Sequence, residues 1–347
     1  MRSGKGYILH IMLLSVAVSG FFGTGCKKEN GIVNNNVILT PYGVYFVDRL
    51  GALYNTNDGK AYKIIFPSDG VPARAVATSG KNLMWIKYSS IINPQGSTLF
   101  LSSNNGVNFN RTNDTLLPAI TWQNQILDVP SFGLLYVAST KGKSVEFSED
   151  NGLTWQTDAT FGSASGFSIQ SFTQTKNGKL YGLDYNTLRL FEKPDKVNGW
   201  TEIFAVNPLP AGGVYQIGHF NDGLVAADLN GANGVYYSTD AGKNWSQYPG
   251  LPNNHKIFMT ASPHDQVLLA GLDSIGIYRL AGGEFVPSNN GLEPNTSVYS
   301  IAAKQDIYKN GVIKQYIYIA TNKGLFRSED LGQNWVLMRA GNFRNVY

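Results

Sequence analysis

Carboxylates at regular intervals are the first chemistry this chain offers. Asp150, Asp240 and Asp330 sit inside Ser-Glu-Asp-Asn-Gly-Leu-Thr-Trp (148–155), Ser-Thr-Asp-Ala-Gly-Lys-Asn-Trp (238–245) and Ser-Glu-Asp-Leu-Gly-Gln-Asn-Trp (328–335). The shared pattern is S-x-D-x-G-x-[TN]-W. It fixes Ser148, Gly152 and Trp155, then Ser238, Gly242 and Trp245, then Ser328, Gly332 and Trp335. A second set, Asp48, Asp184, Asp228 and Asp273, closes short apolar runs such as Leu183-Asp184, Ala227-Asp228 and Leu272-Asp273. Carboxylates facing one another across a cleft can hydrolyse glycosidic bonds by paired acid and base action, and a row of them can hold a polar or cationic ligand. Aspartate also favours strand ends because it hydrogen-bonds its own turn. Both readings stay open for Asp48, Asp184, Asp228 and Asp273, which are the candidate ligand-binding rim.

Other chemistries are poorly supplied. His219, His255 and His264 lie on different segments without ligand spacing, and Cys26 is the only cysteine, so no metal site is expected. Glycine pairs such as Gly212-Gly213 and Gly282-Gly283 lack the Lys-Ser/Thr that completes a phosphate loop. No cofactor is expected. Net charge is only +4, with no basic cluster beyond Lys27-Lys28, which argues against nucleic acid as a partner.

Residues 1–25 carry Arg2 and Lys5 ahead of a mostly apolar run, Tyr7 to Phe22, that ends in Gly23-Thr24-Gly25-Cys26. The stretch resembles a bacterial lipoprotein signal. That resemblance implies that Cys26 is lipidated, anchoring the chain to the membrane, and that residues 26–36, rich in Asn and Lys, form a flexible tether. Lys27 in place of an aspartate implies the outer membrane, with the periplasmic and outer faces both open.

The boxes require a scaffold that repeats. Their tryptophans are 90 residues apart both times (245 − 155, 335 − 245), and degenerate copies fall between and before them. Trp200 lies midway between Trp155 and Trp245. Phe285 divides the next interval, Phe109 ends a box with Asn104 for the aspartate, and Tyr62 ends a weaker one. The resulting series 62, 109, 155, 200, 245, 285, 335 marks seven repeats with gaps of 47, 46, 45, 45, 40 and 50.

Each repeat reads as four short strands. In the last repeat the expected strands are 297–303, 315–321, 324–328 and 334–339; in the fifth they are 214–219, 223–228, 234–238 and 244–248. Second strands such as 134–138 and 266–270 are nearly continuous apolar runs, needing cover on both faces. Glycine (38), tyrosine (19) and phenylalanine (18) are abundant, and charged residues are 15%, which suits many strands and tight turns and excludes disorder. The expected fold is all-β, a seven-bladed β-propeller of four-stranded antiparallel blades over residues 37–347, with six blades as the alternative if the copy near Tyr62 is something else. The chain ends, Val37-Ile38-Leu39 and Phe343–Tyr347, are the available partners for closing the ring.

The eight-residue pattern resembles the Asp-box, or BNR, repeat of sialidases, sortilin-type receptors and photosystem-assembly-factor-like propellers. In those families the box is scaffold, which implies that Asp150, Asp240 and Asp330 staple outer hairpins on separate blades and are not catalytic. Sialidases further require an arginine cluster and an Arg-Ile-Pro motif. No such motif occurs, and Arg189, Arg279 and Arg327 fall in third strands, toward the outside. No catalytic residue is assigned. The expected function is a binding or interaction module for a protein, peptide or glycan, the alternative being a carbohydrate-active enzyme of sialidase-like or carboxylate-pair type. Two loops longer than the scaffold needs, 88–97 and 110–124, are further contact candidates.

Overall fold

Short runs of alternating or continuous apolar residues, cut every five or six positions by Gly, Asn, Asp or Pro, can form strands and hairpins but no long helix. The computed structural model describes residues 43–347 except 57–61, 67–72, 80–81, 89–96, 105–106, 113–125, 140–143, 151, 162–168 and 185. Those residues form seven four-stranded antiparallel sheets. From the innermost strand outward, sheet 4 is Ile169–Gln174, Leu180–Asp184, Leu190–Lys193 and Thr201–Ile203. Sheet 5 is Tyr215–Phe220, Gly223–Asp228, Val235–Ser238 and Ser246–Tyr248. Sheet 6 is Ile257–Ala261, Leu269–Leu272, Gly276–Ala281 and Glu284–Pro287. Sheet 7 is Val298–Ile307, Ile313–Thr321, Gly324–Ser328 and Val336–Ala340. Sheets 2 and 3 repeat the order from Ala73–Ser79 and Ile126–Val129.

Sheet 1 is built from both ends of the described chain. Its innermost strand is the C-terminal Phe343–Val346, which pairs with Val44–Asp48, followed by Leu53–Thr56 and Lys63–Phe66. The closing strand left open by sequence is therefore the C-terminal one, while Val37–Leu39 lies outside the described residues. Tyr45 and Tyr347 exchange both backbone hydrogen bonds at 2.8 Å, extending the seam. Each innermost strand packs against that of the next sheet, from Phe343–Val346 through sheets 2 to 7 and back. A ring of radiating sheets is a β-propeller.

The aromatic series marks the same place in every sheet. Tyr62, Phe109, Trp155, Trp200, Trp245 and Trp335 each immediately precede the outermost strand, and Phe285 is the second residue of its own. Trp245 is buried against Tyr181, Leu183 and Leu190 of sheet 4, and Trp335 against Val267, Leu269 and Ile277 of sheet 6. Each ring thus wedges into the preceding sheet, where an indole buries on the order of 200 Å². The expected strands 223–228 and 324–328 match residue for residue. The apolar run 266–270 becomes a strand only from Leu269, because Pro263–Asp265 forms a 3-10 turn just ahead of it; Val267 and Leu268 are buried all the same. The long interval between Phe285 and Trp335 goes into the first hairpin of sheet 7, whose strands run ten and nine residues.

The strand order fixes two faces. Turns between strands one and two, and between three and four, lie on one face with the boxes. Turns between strands two and three, and the connections between sheets, lie on the other, the rim face.

Candidate functional site

In the three full boxes the serine and aspartate close the turn as their chemistry dictates. Ser238 Oγ accepts from Gly242 N (2.8 Å) and donates to Asp240 Oδ1 (2.8 Å); Asp240 then accepts from Asn244 N (2.9 Å) and Asn244 Nδ2 (2.7 Å). Asp150 and Asp330 repeat this with Thr154 and Asn334, and Ser148 and Ser328 with Gly152 and Gly332. The glycines stand at φ of 89°, 88° and 82°, where a side chain is strained. In the degenerate copy Asn104 Oδ1 still accepts from Asn108 N at 2.9 Å. Hydrogen bonds from the Asn244 side chain and backbone and from Ser238 hold the Asp240 carboxyl down at about 2. The three carboxylates lie in sheets 3, 5 and 7, never in adjacent ones.

The four rim aspartates do share one position, the strand-two end on the rim face. Asp48 Oδ1 accepts from Leu50 N and Ala52 N (both 2.9 Å), and Oδ2 from Tyr54 Oη (3.1 Å). Asp184 takes Thr187 N (2.8 Å) and Oγ1 (2.5 Å). Asp228 takes four donors, among them Val214 N (3.1 Å) and Asn233 N (3.0 Å), and Asp273 takes Ser274 Oγ (3.1 Å) and Ser297 Oγ (2.9 Å). Asp184 and Asp228 are fully buried. At those two positions the rim offers a ligand a carboxylate-braced turn rather than a free carboxylate.

What the rim does present comes from a feature without a composition signal. In five sheets the pairing of the first and second strands slips by one residue at the rim end. The extra residues are Arg344, Arg74, Gln170, Phe258 and Tyr299, each the second residue of its innermost strand. A bulge re-aims the side chain it inserts. Over sheets 6, 7 and 1 the re-aimed groups touch: the Phe258 and Tyr299 rings lie 4.9 Å apart at 59°, and the Arg344 guanidinium sits 4.0 Å over the Tyr299 ring. A guanidinium drawn over an aromatic face by cation–π attraction still carries N–H donors that can take a carboxylate.

Beside this group, at the junction of sheets 7 and 1, a cavity of about 430 Å³ is lined by Asp48, Arg49, Leu50, Tyr54, Arg339 and Asn342. The Arg339 guanidinium stacks over Tyr54 and Tyr62, 4.9 Å from each ring centre, and the buried Asn342 Oδ1 has no partner. Burial and the Asp48 charge raise the Tyr54 hydroxyl, with Arg339 opposing them. Lys256 and Lys323 stand on the same face. Among the described residues Arg49, Lys256, Lys323, Arg339 and Arg344 have no carboxylate within ion-pair distance. Phe258, Tyr299 and Arg344 were legible only as a column of the repeat, 41 and 45 residues apart (299 − 258, 344 − 299).

Arg279 and Arg327 lie in third strands and Arg189 just before one, so they are not brought together with the rim arginines. Cys26 and most of both long loops lie outside the described residues.

These features define a β-propeller with boxes stapling alternate sheets and a basic, aromatic rim. The family model for the BNR/Asp-box repeat matches residues 236–247, the second box, so the chain carries this repeat on a β-propeller fold. No curated protein matches the sequence. Among solved structures, YCF48 bound to D1 peptide is similar at 12% identity and a TM-score of 0.52, over 79% of this chain and 87% of that one. YCF48 from Cyanidioschyzon merolae is similar at 16% identity and 0.52, over 79% and 91%. The extracellular domain of BT4673 from B. thetaiotaomicron gives 11% and 0.55, over 80% of this chain and 36% of that one. At these identities the likeness is one of fold.

Proposed function

We propose that the chain is an outer-membrane lipoprotein, anchored through Cys26, whose propeller binds a carboxylate-bearing polypeptide on the rim over sheets 6, 7 and 1. The observation that carries this reading is the set of basic side chains without acidic partners around the Arg344–Tyr299–Phe258 group and the cavity at the seam. Aromatic and arginine side chains dominate protein contacts because they bury large area and form forked hydrogen bonds to carboxylates. The exposed Leu50 beside Arg49 adds an apolar contact of the same kind. The four rim aspartates contribute by fixing the turns that carry these groups. The similar fold of YCF48 in complex with a peptide supports the class of ligand, not its identity.

Peptide-array binding with Arg344→Ala and Arg339→Ala tests the proposal. Loss of one charge-assisted hydrogen bond corresponds to roughly 1.5–3 kcal/mol, or about 10- to 150-fold in affinity. Binding should also weaken as salt is raised. Selective binding on a glycan array, or turnover of a glycoside that disappears in Asp184→Asn or Asp228→Asn, would instead establish the carbohydrate-active reading. Mass spectrometry of the membrane-extracted protein tests the anchor: a first residue other than a lipidated Cys26 refutes it.

A further inference from the structure

Where the innermost strands of sheets 6, 7 and 1 meet, they enclose a second cavity of about 240 Å³. Its walls are largely apolar, formed by Met259, Ile301, Ala303, Val346 and Tyr347. Ser300 also lines it, but its hydroxyl is already used, accepting from Val346 N (3.1 Å) and donating to Val346 O (3.2 Å). The one charged side chain on the wall is Lys304.

Lys304 has no counter-charge. Among the described residues no carboxylate lies within ion-pair distance of its Nζ, and no side chain or carbonyl accepts from it. The nitrogen is nevertheless not sealed in protein, so it opens on to the cavity. Burial alone lowers its ammonium, to about 8. An adjoining cavity of about 400 Å³ shares Met259 and Ala303 as walls and carries Asp128 and His219. Neither acts on Lys304. Asp128 is beyond ion-pair distance of it, and His219 faces Asp265, with Nε2 3.8 Å from Oδ1, while Lys176 Nζ holds Oδ2 at 3.0 Å. Lys304 is thus left as a lone amine among apolar walls.

A carboxylate placed here would meet a single ammonium, without the forked arginine contacts available on the rim. Capture of a carbonyl needs only a neutral amine, room and an apolar wall, the setting in which lysine acts as a nucleophile. We propose that Lys304 Nζ reversibly captures a small apolar aldehyde as an imine. The nitrogen lone pair bonds to the carbonyl carbon, and a proton passes from nitrogen to oxygen to give a carbinolamine. Loss of water then leaves the C=N bond, the water carrying away the carbonyl oxygen and both amine hydrogens. Addition of water reverses the step. The apolar body of the aldehyde lies against Met259, Ile301 and Val346. The site uses none of the residues proposed to bind the peptide.

The test incubates the full chain with hexanal and sodium cyanoborohydride, which reduces the imine to a stable secondary amine, and maps the adducts by peptide mass spectrometry. At pH 7 about a tenth of an amine titrating near 8 is neutral, against roughly one in 3,000 at the ordinary 10.5. A weaker base is also a weaker nucleophile, and a slope of about 0.4–0.5, as thiols show, leaves an advantage on the order of tenfold. Lys304 should be labelled faster than the exposed Lys309 by that factor. The ratio should fall as pH rises past 8, where ordinary lysines deprotonate in turn. Glyoxylate, which carries a charge, should label Lys304 less selectively than hexanal does. Ala303→Phe puts a ring into the cavity from an exposed position, so it should slow labelling of Lys304 and leave both the Lys309 rate and the melting temperature unchanged. Equal rates at Lys304 and Lys309, greater selectivity with glyoxylate than with hexanal, or an unchanged Lys304 rate in Ala303→Phe overturns the proposal.

Discussion

Gly242 and Gly332 occupy the same box position, and alanine at the two should cost different amounts. Both stand at positive φ, 88° and 82°, so each alanine carries the left-handed penalty of about 1–2 kcal/mol. What the new Cβ meets differs. At Gly242 it would lie 2.2 Å from Leu190 Cδ2, a contact no rotation of the alanine relieves. Leu190 is 4% exposed and packed among Tyr181, Tyr215 and Trp245, so it can move only by displacing them. Overpacking of that kind costs about 1–3 kcal/mol. At Gly332 the nearest atom is Leu269 Cδ2 at 3.2 Å, which a shift of a few tenths of an ångström absorbs. Gly242→Ala is therefore expected to destabilise by about 1–3 kcal/mol more than Gly332→Ala. Urea unfolding followed by tryptophan fluorescence reads the difference, with Trp245 and Trp335 as local probes. In a cycle with Leu190→Ala, the excess at Gly242 should vanish as a coupling of the same size. Equal costs for the two alanines, or additivity with Leu190→Ala, would refute the steric reasoning and leave only the shared backbone term.

Three further outcomes are expected. Deleting residues 343–347 removes the innermost strand of sheet 1 and both Tyr45–Tyr347 hydrogen bonds, so calorimetry should show loss of the cooperative transition, whereas deleting residues 27–36 should leave it intact. Asp240 is held at about 2 from an ordinary value of 3.8, so its stabilising effect is full above the unfolded value and lost as pH falls through the folded one. Asp240→Asn should flatten the acid limb of stability between those values, and a carboxyl titrating near 3.8 by NMR would contradict this. Burial in the channel, in a cavity shared with Ser300 and Tyr347, lowers the Lys304 ammonium to about 8. After reductive methylation its carbon-13 resonance should titrate there, below the ordinary lysine value of 10.5, and titration at that ordinary value would show that the side chain reaches solvent.

How much of this was legible depended on whether a residue's role is local. The box is local: Ser238, Asp240 and Gly242 close one turn within five residues, so the spacing that performs the chemistry is written consecutively. Trp245 then sets the sheet interval, and the weak copies at Tyr62 and Phe109 were found by counting. The rim aspartates were placed correctly at strand ends, but the fate of their oxygens depends on partners such as Val214, 14 residues away, which no pattern of carboxylates reveals. The bulges are harder. Phe258 and Tyr299 read as ordinary strand residues, because an inserted residue changes the register and not the composition. Lys176, His219 and Asp265 share no segment, and only His219 stands out in the sequence, as one of three histidines without ligand spacing. Their intervals approximate the repeat, and in a ring of sheets the residues one repeat apart are the neighbours. The distance that separates functional groups in such a chain is thus the same period that builds its scaffold, so a site in a propeller should be sought down the columns of the aligned repeats, where each column is one level of the channel wall.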